Sequence, residues 1–224
     1  VKKIDISASN TGQLQWKVDE KIKGDERLVE RAAGRTFRIS GGGFWQVHRK
    51  AAVILTSAVN EAIAKAGFDK TADNLDLYGG VGLFAGTIAA KFGVDSVITT
   101  VEAFKTATED AKLNLADLPN VRAILAPTER FLDERVSSHV KNGSPETTAT
   151  VILDPPRAGA GAKVVGQVLA LKPKHIVYVA CDPVALTRDL KPLTEGGYEL
   201  ASLRAFDLFP HTHHVEAVAS LIRK

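Results

Sequence analysis

The 224-residue sequence contains no methionine and only one cysteine, Cys181. A single thiol excludes an internal disulfide, cannot ligate an iron–sulfur cluster, and fits a reducing compartment, so a cytoplasmic protein is expected. No apolar run approaches the roughly 18 residues of a membrane span, and no leader pattern opens the chain, so no membrane association is expected. With no initiator Met, Val1 is read as the start of a fragment or processed form. Internal repeats and low-complexity segments are also lacking. What remains is ordinary, with 45% hydrophobic and 25% charged residues. That is enough chain for one large domain, or for one domain with an appendage.

Net charge is small overall, at +3, but it is unevenly spread. Residues 1–50 carry eleven Lys and Arg against six Asp and Glu, and residues 51–224 carry 18 against 20. A basic flank beside a near-neutral body suits an anionic polymer as partner.

Residues 1–46 show period-two alternation in I-D-I-S-A-S, L-Q-W-K-V, V-E-R and F-R-I-S, broken at Asn10-Thr11-Gly12 and at Gly34. This predicts short hairpin strands with too little apolar surface for a core of their own. Gly41-Gly42-Gly43 then leads to Phe44-Trp45-Gln46, and helical spacing runs from about Val47 to Ala66. The division expected is a β-rich remnant over 1–43 and a main domain over 44–224.

From Leu75 strand and helix alternate. Strands are predicted over 75–78, 97–101 and 121–125, then at runs ending at Asp154 and Cys181. Helices are predicted over 83–91, 104–115, 128–136, 162–171 and 183–193, with a polar loop over 139–147. Residues 198–206 and 215–222 read as a terminal antiparallel pair. Repeated β-α units imply a parallel sheet with helices on both faces.

Two strands, in V-I-L-D-P-P-R and I-V-Y-V-A-C-D-P, stop abruptly at Asp154 and Cys181. Ligands bind at the carboxyl edge of such sheets, so a carboxylate and the one thiol are expected to share a crevice. A helix opening at Pro183 would lower the thiol pKa, and the adjacent Asp182 would oppose that. The turn in D-L-Y-G-G-V-G-L-F, with Gly80 and Gly82, lets a ligand approach backbone N–H groups at a helix start. Glu102 ends the next strand, where a carboxylate can accept both hydroxyls of a ribose. Together they indicate a nucleoside-containing cofactor, and the spacing does not separate S-adenosylmethionine from a nicotinamide nucleotide. In F-D-L-F-P-H-T-H-H-V-E, His211, His213, His214 and Glu216 have ligand chemistry, but His211, His213 and Glu216 do not share one strand face and no HExxH is present. A general base at Glu216, oriented by His211 and His214, is the simpler reading, and no metal is expected.

These motifs, in this order from about Gly43 to the C-terminus, resemble the S-adenosylmethionine-dependent RNA 5-methyluridine methyltransferases that act on tRNA and 23S rRNA. The resemblance rests on F-W-Q, D-L-Y-G-G-V-G-L-F, Glu102, D-P-P-R-A-G, I-V-Y-V-A-C-D-P and F-D-L-F-P-H-T-H-H-V-E. It implies a Rossmann-like class I α/β fold, with a mostly parallel seven-stranded sheet, an antiparallel C-terminal strand and the short N-terminal β-rich segment added. It implies S-adenosylmethionine held by Gln46, Tyr78, Gly80, Gly82, Glu102 and Asp154, with Cys181 as nucleophile and Glu216 as base. Arg157, His211 and His214 would orient a structured RNA substrate, and a monomer is expected. The chain departs from the family pattern in having Ala180-Cys181-Asp182-Pro183 for Ser-Cys-Asn-Pro, and Gly79 and Leu83 for Cys and Asn. The N-terminal oligonucleotide-binding barrel of many members and the cluster cysteines of some are not in this sequence. Two rival readings stay open, an amino-group methyltransferase that uses the D-P-P-R strand end and a non-catalytic RNA-binding protein of the same fold.

Overall fold

The computed structural model describes residues 3–19, 21–142 and 148–224, the side chains of 139–142 excepted. The N-terminal segment forms five strands: β1 (Ile4–Ala8), β2 (Leu14–Val18), β3 (Lys21–Gly24), β4 (Arg27–Ala32) and β5 (Arg35–Ser40). The first three make an antiparallel meander and the last two a hairpin. β3 was not anticipated, because its K-I-K-G sequence is exposed along its whole length and carries no buried alternation.

The main body follows as α1 (Ala51–Ala66), β6 (Asn74–Leu77), α2 (Leu83–Phe92), β7 (Ile98–Glu102), α3 (Lys105–Asn114), β8 (Val121–Leu125), α4 (Thr128–Asn142), β9 (Thr150–Leu153), α5 (Gly161–Leu171), β10 (His175–Ala180), α6 (Pro183–Glu195), β11 (Tyr198–Phe206) and β12 (Glu216–Arg223). Seven strands pair in the order β11-β12-β10-β9-β6-β7-β8. β12 runs antiparallel to both its neighbours, and the pairs from β10 to β8 are parallel. β6, β9 and β10 are buried throughout. Strands covered on both faces need continuous apolar runs rather than alternation, which V-I-L and I-V-Y-V-A supply.

Helices cover both faces. Leu55, Val59 and Ile63 of α1 and Phe84 and Ile88 of α2 pack with Ile152, Val177, Val179 and Val218. On the other face, Leu132 of α4, Val164 and Val168 of α5, and Leu186 and Leu193 of α6 pack with Leu77, Leu153 and Tyr178. α1 starts at Ala51 rather than Val47, because His48 Nδ1 accepts the Lys50 N–H at 3.2 Å and closes a turn first. α4 runs to Asn142, so part of the expected 139–147 loop is helical, and residues 143–147 lie outside the described residues.

The β4–β5 hairpin packs Ala32 and Phe37 against Ala52, Leu83 and Trp45. Its β5 edge meets side chains of α3. Asn114 Oδ1 accepts the Arg38 N–H at 2.8 Å and its Nδ2 donates to the Arg38 carbonyl at 3.0 Å, as a partner strand would. Asp110 accepts the Ser40 N–H and hydroxyl, each at 2.7 Å. Arg35 forks onto Asp117 at 3.0 and 2.6 Å just beyond the helix. On the hairpin's outer face, Arg38 lies opposite Val29, and Arg31 is two pairs further along, opposite Thr36. Both arginines are exposed.

Candidate active site

The parallel strands β6, β7, β9 and β10 end, and β12 begins, at one edge of the sheet. Chain order reverses between β6 and β9, the switch point where a crevice opens in such folds. Asp154 follows β9, and its N–H donates to Leu77 O at 3.3 Å beside the glycine turn. Cys181 follows β10 directly. The last β10–β12 pair is Ala180 with Ala217, so the next step sets Cys181 opposite Glu216.

Side-chain alternation decides what these residues share. Ile152, Val179 and Val218 belong to the layer under α1 and α2. Asp154, Cys181 and Glu216 lie two residues from each of them and continue that row. Tyr78 leaves it, because its left-handed backbone (φ 63°) turns the ring toward the opposite layer. There its hydroxyl meets Thr128, and burial first, with Glu129 and Asp189 adding, pushes its pKa up to about 12.

The glycine turn is built on a carboxylate that the sequence reading did not single out. Asp76 is fully buried, and its Oδ2 accepts from Ala85 N at 3.0 Å and Thr100 Oγ1 at 3.2 Å. It thus ties the start of α2 to β7, while its Oδ1 is buried with no partner. Gly79 packs so closely that a Cβ there would lie 1.8 Å from Thr100 Oγ1. Gly80 has φ +54°, open space where a Cβ would point, and an N–H that donates to Glu102 Oε2 at 3.0 Å. Glu102 Oε1 accepts the Phe104 N–H at 2.8 Å, which fixes the carboxylate and leaves each oxygen a further lone pair. Phe104 itself, also missed, is 75% exposed.

Electrostatics ties the group together. Asp76 is pushed up to about 7, chiefly by burial, with Glu102 adding. Asp154 rises well above the usual range through burial, then Glu216, then Asp76. Burial also raises Glu216, whose Oε2 is buried without a partner. The Cys181 thiol is raised by burial first and by Glu216 and Asp154 next, with Arg157 opposing. The expected lowering at a helix start is therefore outweighed. Asp182 instead caps α6, accepting from Ala185 N at 2.8 Å, with Pro183 in the first turn. Acidic groups buried this close together, with two unpartnered carboxyl oxygens, fit a ligand carrying positive charge and hydrogen-bond donors.

The remaining predicted residues are less tightly placed. Gln46 is half-buried and precedes the turn into α1. Trp45 beside it stacks on Phe37 with ring centroids 5.6 Å apart. Arg157 is exposed, three residues past Asp154. His211 is exposed in the turn before β12, and His214 stacks on His213 at 4.2 Å with its Nδ1 buried and unpartnered. Among the described residues, nothing hydrogen-bonds to Glu216 Oε2, and no three His, Cys, Asp or Glu side chains gather as a metal site.

The sequence profile of the tRNA (Uracil-5-)-methyltransferase family matches residues 26–224. The chain belongs to that family. The tRNA (uracil-5-)-methyltransferase match takes in the β4–β5 hairpin and every residue of the crevice described above. Uncharacterised RNA methyltransferases of Streptomyces avermitilis and Streptomyces coelicolor are 46% and 45% identical, over 90% and 96% of this chain. The crystal structure of Pyrococcus abyssi tRNA (uracil-54, C5)-methyltransferase in complex with S-adenosyl-L-homocysteine superposes with a TM-score of 0.70 at 30% identity, over 91% of this chain and 46% of that one. The chain spans about half the length of the curated relatives it matches, 44% of each of the two Streptomyces proteins.

Proposed function

We propose that this chain carries the catalytic half of an enzyme that methylates carbon 5 of a uridine in structured RNA, tRNA or rRNA, with S-adenosylmethionine as donor. The observation that carries the reading is that the lone thiol, Cys181, and the buried carboxylate Glu216 each lie one step past the Ala180–Ala217 pair that ends the β10–β12 ladder.

Donor binding falls to the switch-point residues. Glu102 takes the ribose hydroxyls, the exposed ring of Phe104 offers an apolar face beside them, and Gly80 and Gly82 let the ligand approach the backbone. Asp76 and Asp154 supply negative charge, and Gln46 and Tyr78 complete the rim. S-adenosylmethionine, when bound, supplies an electrophilic methyl group on a positively charged sulfur.

Carbon 5 of uracil is a weak nucleophile. The Cys181 thiolate adds to carbon 6, and the ring electrons move to carbon 5 as an enolate. Carbon 5 takes the methyl group, and the sulfur that held it leaves as a neutral thioether. Glu216 then removes the carbon 5 proton, and the thiolate departs as the ring double bond re-forms. A base in structured RNA has to leave its stack to reach a thiol at a sheet edge. The basic outer face of β4–β5, with Arg31 and Arg38, supports RNA as partner.

Incubation with S-adenosylmethionine and RNA carrying 5-fluorouridine tests this. Fluorine at carbon 5 cannot leave as a proton, so a denaturation-resistant adduct is expected with the wild-type protein and not with Cys181→Ala. Methyl transfer to RNA that persists in Cys181→Ala would overturn the thiol mechanism.

A further inference from the structure

Arg157 makes no hydrogen bond or ion pair among the described residues, so its backbone decides where its charge sits. That backbone belongs to the D-P-P-R-A-G-A loop leaving β9, and the loop is gripped at its far end by a buried cluster from β10 and α6. Asp189 is 2% exposed, and its Oδ2 accepts from Tyr178 Oη at 2.7 Å, Ala160 N at 2.8 Å and Gly161 N at 3.2 Å. The Tyr178 oxygen accepts the same Ala160 N–H at 2.9 Å. Arg188 closes the ring, with Nε and Nη2 each 3.0 Å from Asp189 Oδ1 and Nη2 2.6 Å from Ala158 O.

The cluster leaves no slack. Gly159 has φ +77°, and a Cβ there would lie 2.5 Å from Arg188 Nη2 and 2.6 Å from Asp189 Oδ2. Tyr178 precedes Cys181 by three residues on β10, and Asp189 follows it on the helix that Asp182 caps. One carboxylate therefore fastens the loop bearing Asp154 and Arg157 to the two elements that flank Cys181.

We propose that Asp189, with Tyr178, is a positioning residue that clasps the 155–160 loop and so keeps the Arg157 guanidinium beside the Cys181 thiol. The proposal rests on the reading of Cys181 as nucleophile. Three other charged groups face or adjoin that thiol: Glu216 at the start of β12 and Asp154 at the end of β9, both unfavourable to a thiolate, and Asp182 on its own element. Arg157 is the cation that offsets them. Burial alone would raise Asp189, but the hydrogen bonds from Tyr178, Gly161, Arg188 and Ala160 outweigh it and hold its pKa low, so it is a fixed anion.

Because Cys181 is the only thiol, its alkylation by iodoacetamide can be followed against pH by intact mass. Arg157→Ala is expected to move the midpoint up by about half a unit and to slow alkylation roughly threefold below it. Asp189→Asn should produce most of that shift although it never touches the thiol, and the double variant should shift no further than Arg157→Ala alone. An unmoved midpoint in folded Asp189→Asn, or additive shifts in the double variant, would overturn the clasp. Should Asp189→Asn not fold, Tyr178→Phe removes only the hydroxyl and carries the same expectation, and an unmoved midpoint there is equally decisive. The titration needs neither RNA nor methyl donor. A clasp that passes it in a protein forming no fluorouridine adduct would leave the positioning role standing and the uridine reading refuted.

Discussion

Cys181 and Glu216 stand opposite each other one step beyond the last paired residues of β10 and β12, Ala180 and Ala217. After burial, the Glu216 charge is the largest influence holding the thiol in its protonated form. The residue proposed as base thus disfavours the thiolate of the proposed nucleophile.

Glu216→Gln should therefore make Cys181 more reactive while abolishing turnover. Removing the charge lowers the thiol pKa, and alkylation at pH 7.5 is expected to speed up by about threefold or more. With ordinary uridine RNA and methyl donor, the same variant should accumulate covalent protein–RNA adduct, since nothing takes the carbon 5 proton. Slower alkylation than wild type would show that Glu216 does not act on the thiol.

Without ligand, the contribution of the crevice carboxyls to stability should fall as pH rises. Asp76 is near 7 in the fold against 3.8 ordinarily, and Asp154 and Glu216 are raised as well. A raised carboxyl pKa means that the folded state binds the extra proton, so the contribution is full below about pH 4 and is lost as pH passes through about 7. Asp76→Asn keeps an acceptor for Ala85 N and Thr100 Oγ1 and removes the charge. Relative to wild type it should gain on the order of 3 kcal/mol between pH 5 and pH 8, read as a growing difference in Tm. An equal Tm difference at the two pH values would contradict the shift.

The neighbouring glycines should separate folding from binding. Gly79→Ala drives a Cβ into Thr100 Oγ1 and is expected to cost several kcal/mol or prevent folding. Gly80→Ala meets open space, so it should pay only the strain of a left-handed residue, about 1 kcal/mol, yet weaken S-adenosylhomocysteine binding in a calorimeter tenfold or more. Unchanged affinity in Gly80→Ala would place the ligand elsewhere.

Charge on the hairpin should be read by RNA. Arg31→Glu with Arg38→Glu is predicted to weaken RNA binding and to flatten the plot of log affinity against log salt by about 1.5. Donor affinity should not change. A salt slope equal to wild type would remove this face from the RNA contact.

The sheet was legible because its central strands are short apolar runs that end abruptly in polar residues, and the crevice was legible because Asp154, Cys181 and Glu216 sit at those ends. Tyr78 illustrates the limit. Its place in the motif is plain, but a single left-handed residue sends its ring to the other layer. Asp76 reads as one more polar residue near a strand end, and only burial shows that it organises the glycine turn. Asp189 and Asn114 were invisible for another reason, since the backbone groups that their side chains bind lie 28 to 29 and 33 to 76 residues away and no local pattern announces such pairings.

The Asn114 amide has a further consequence for how the molecule is made. It seals the β5 edge across 76 residues and donates to Val81 O at 3.1 Å in the glycine turn. During synthesis the hairpin emerges long before its cover, so its edge stays open to other strands until α3 has left the ribosome. Asn114 then joins Asp110 in closing that edge and also braces the turn above the crevice, so one amide serves both the hairpin's edge and the glycine turn.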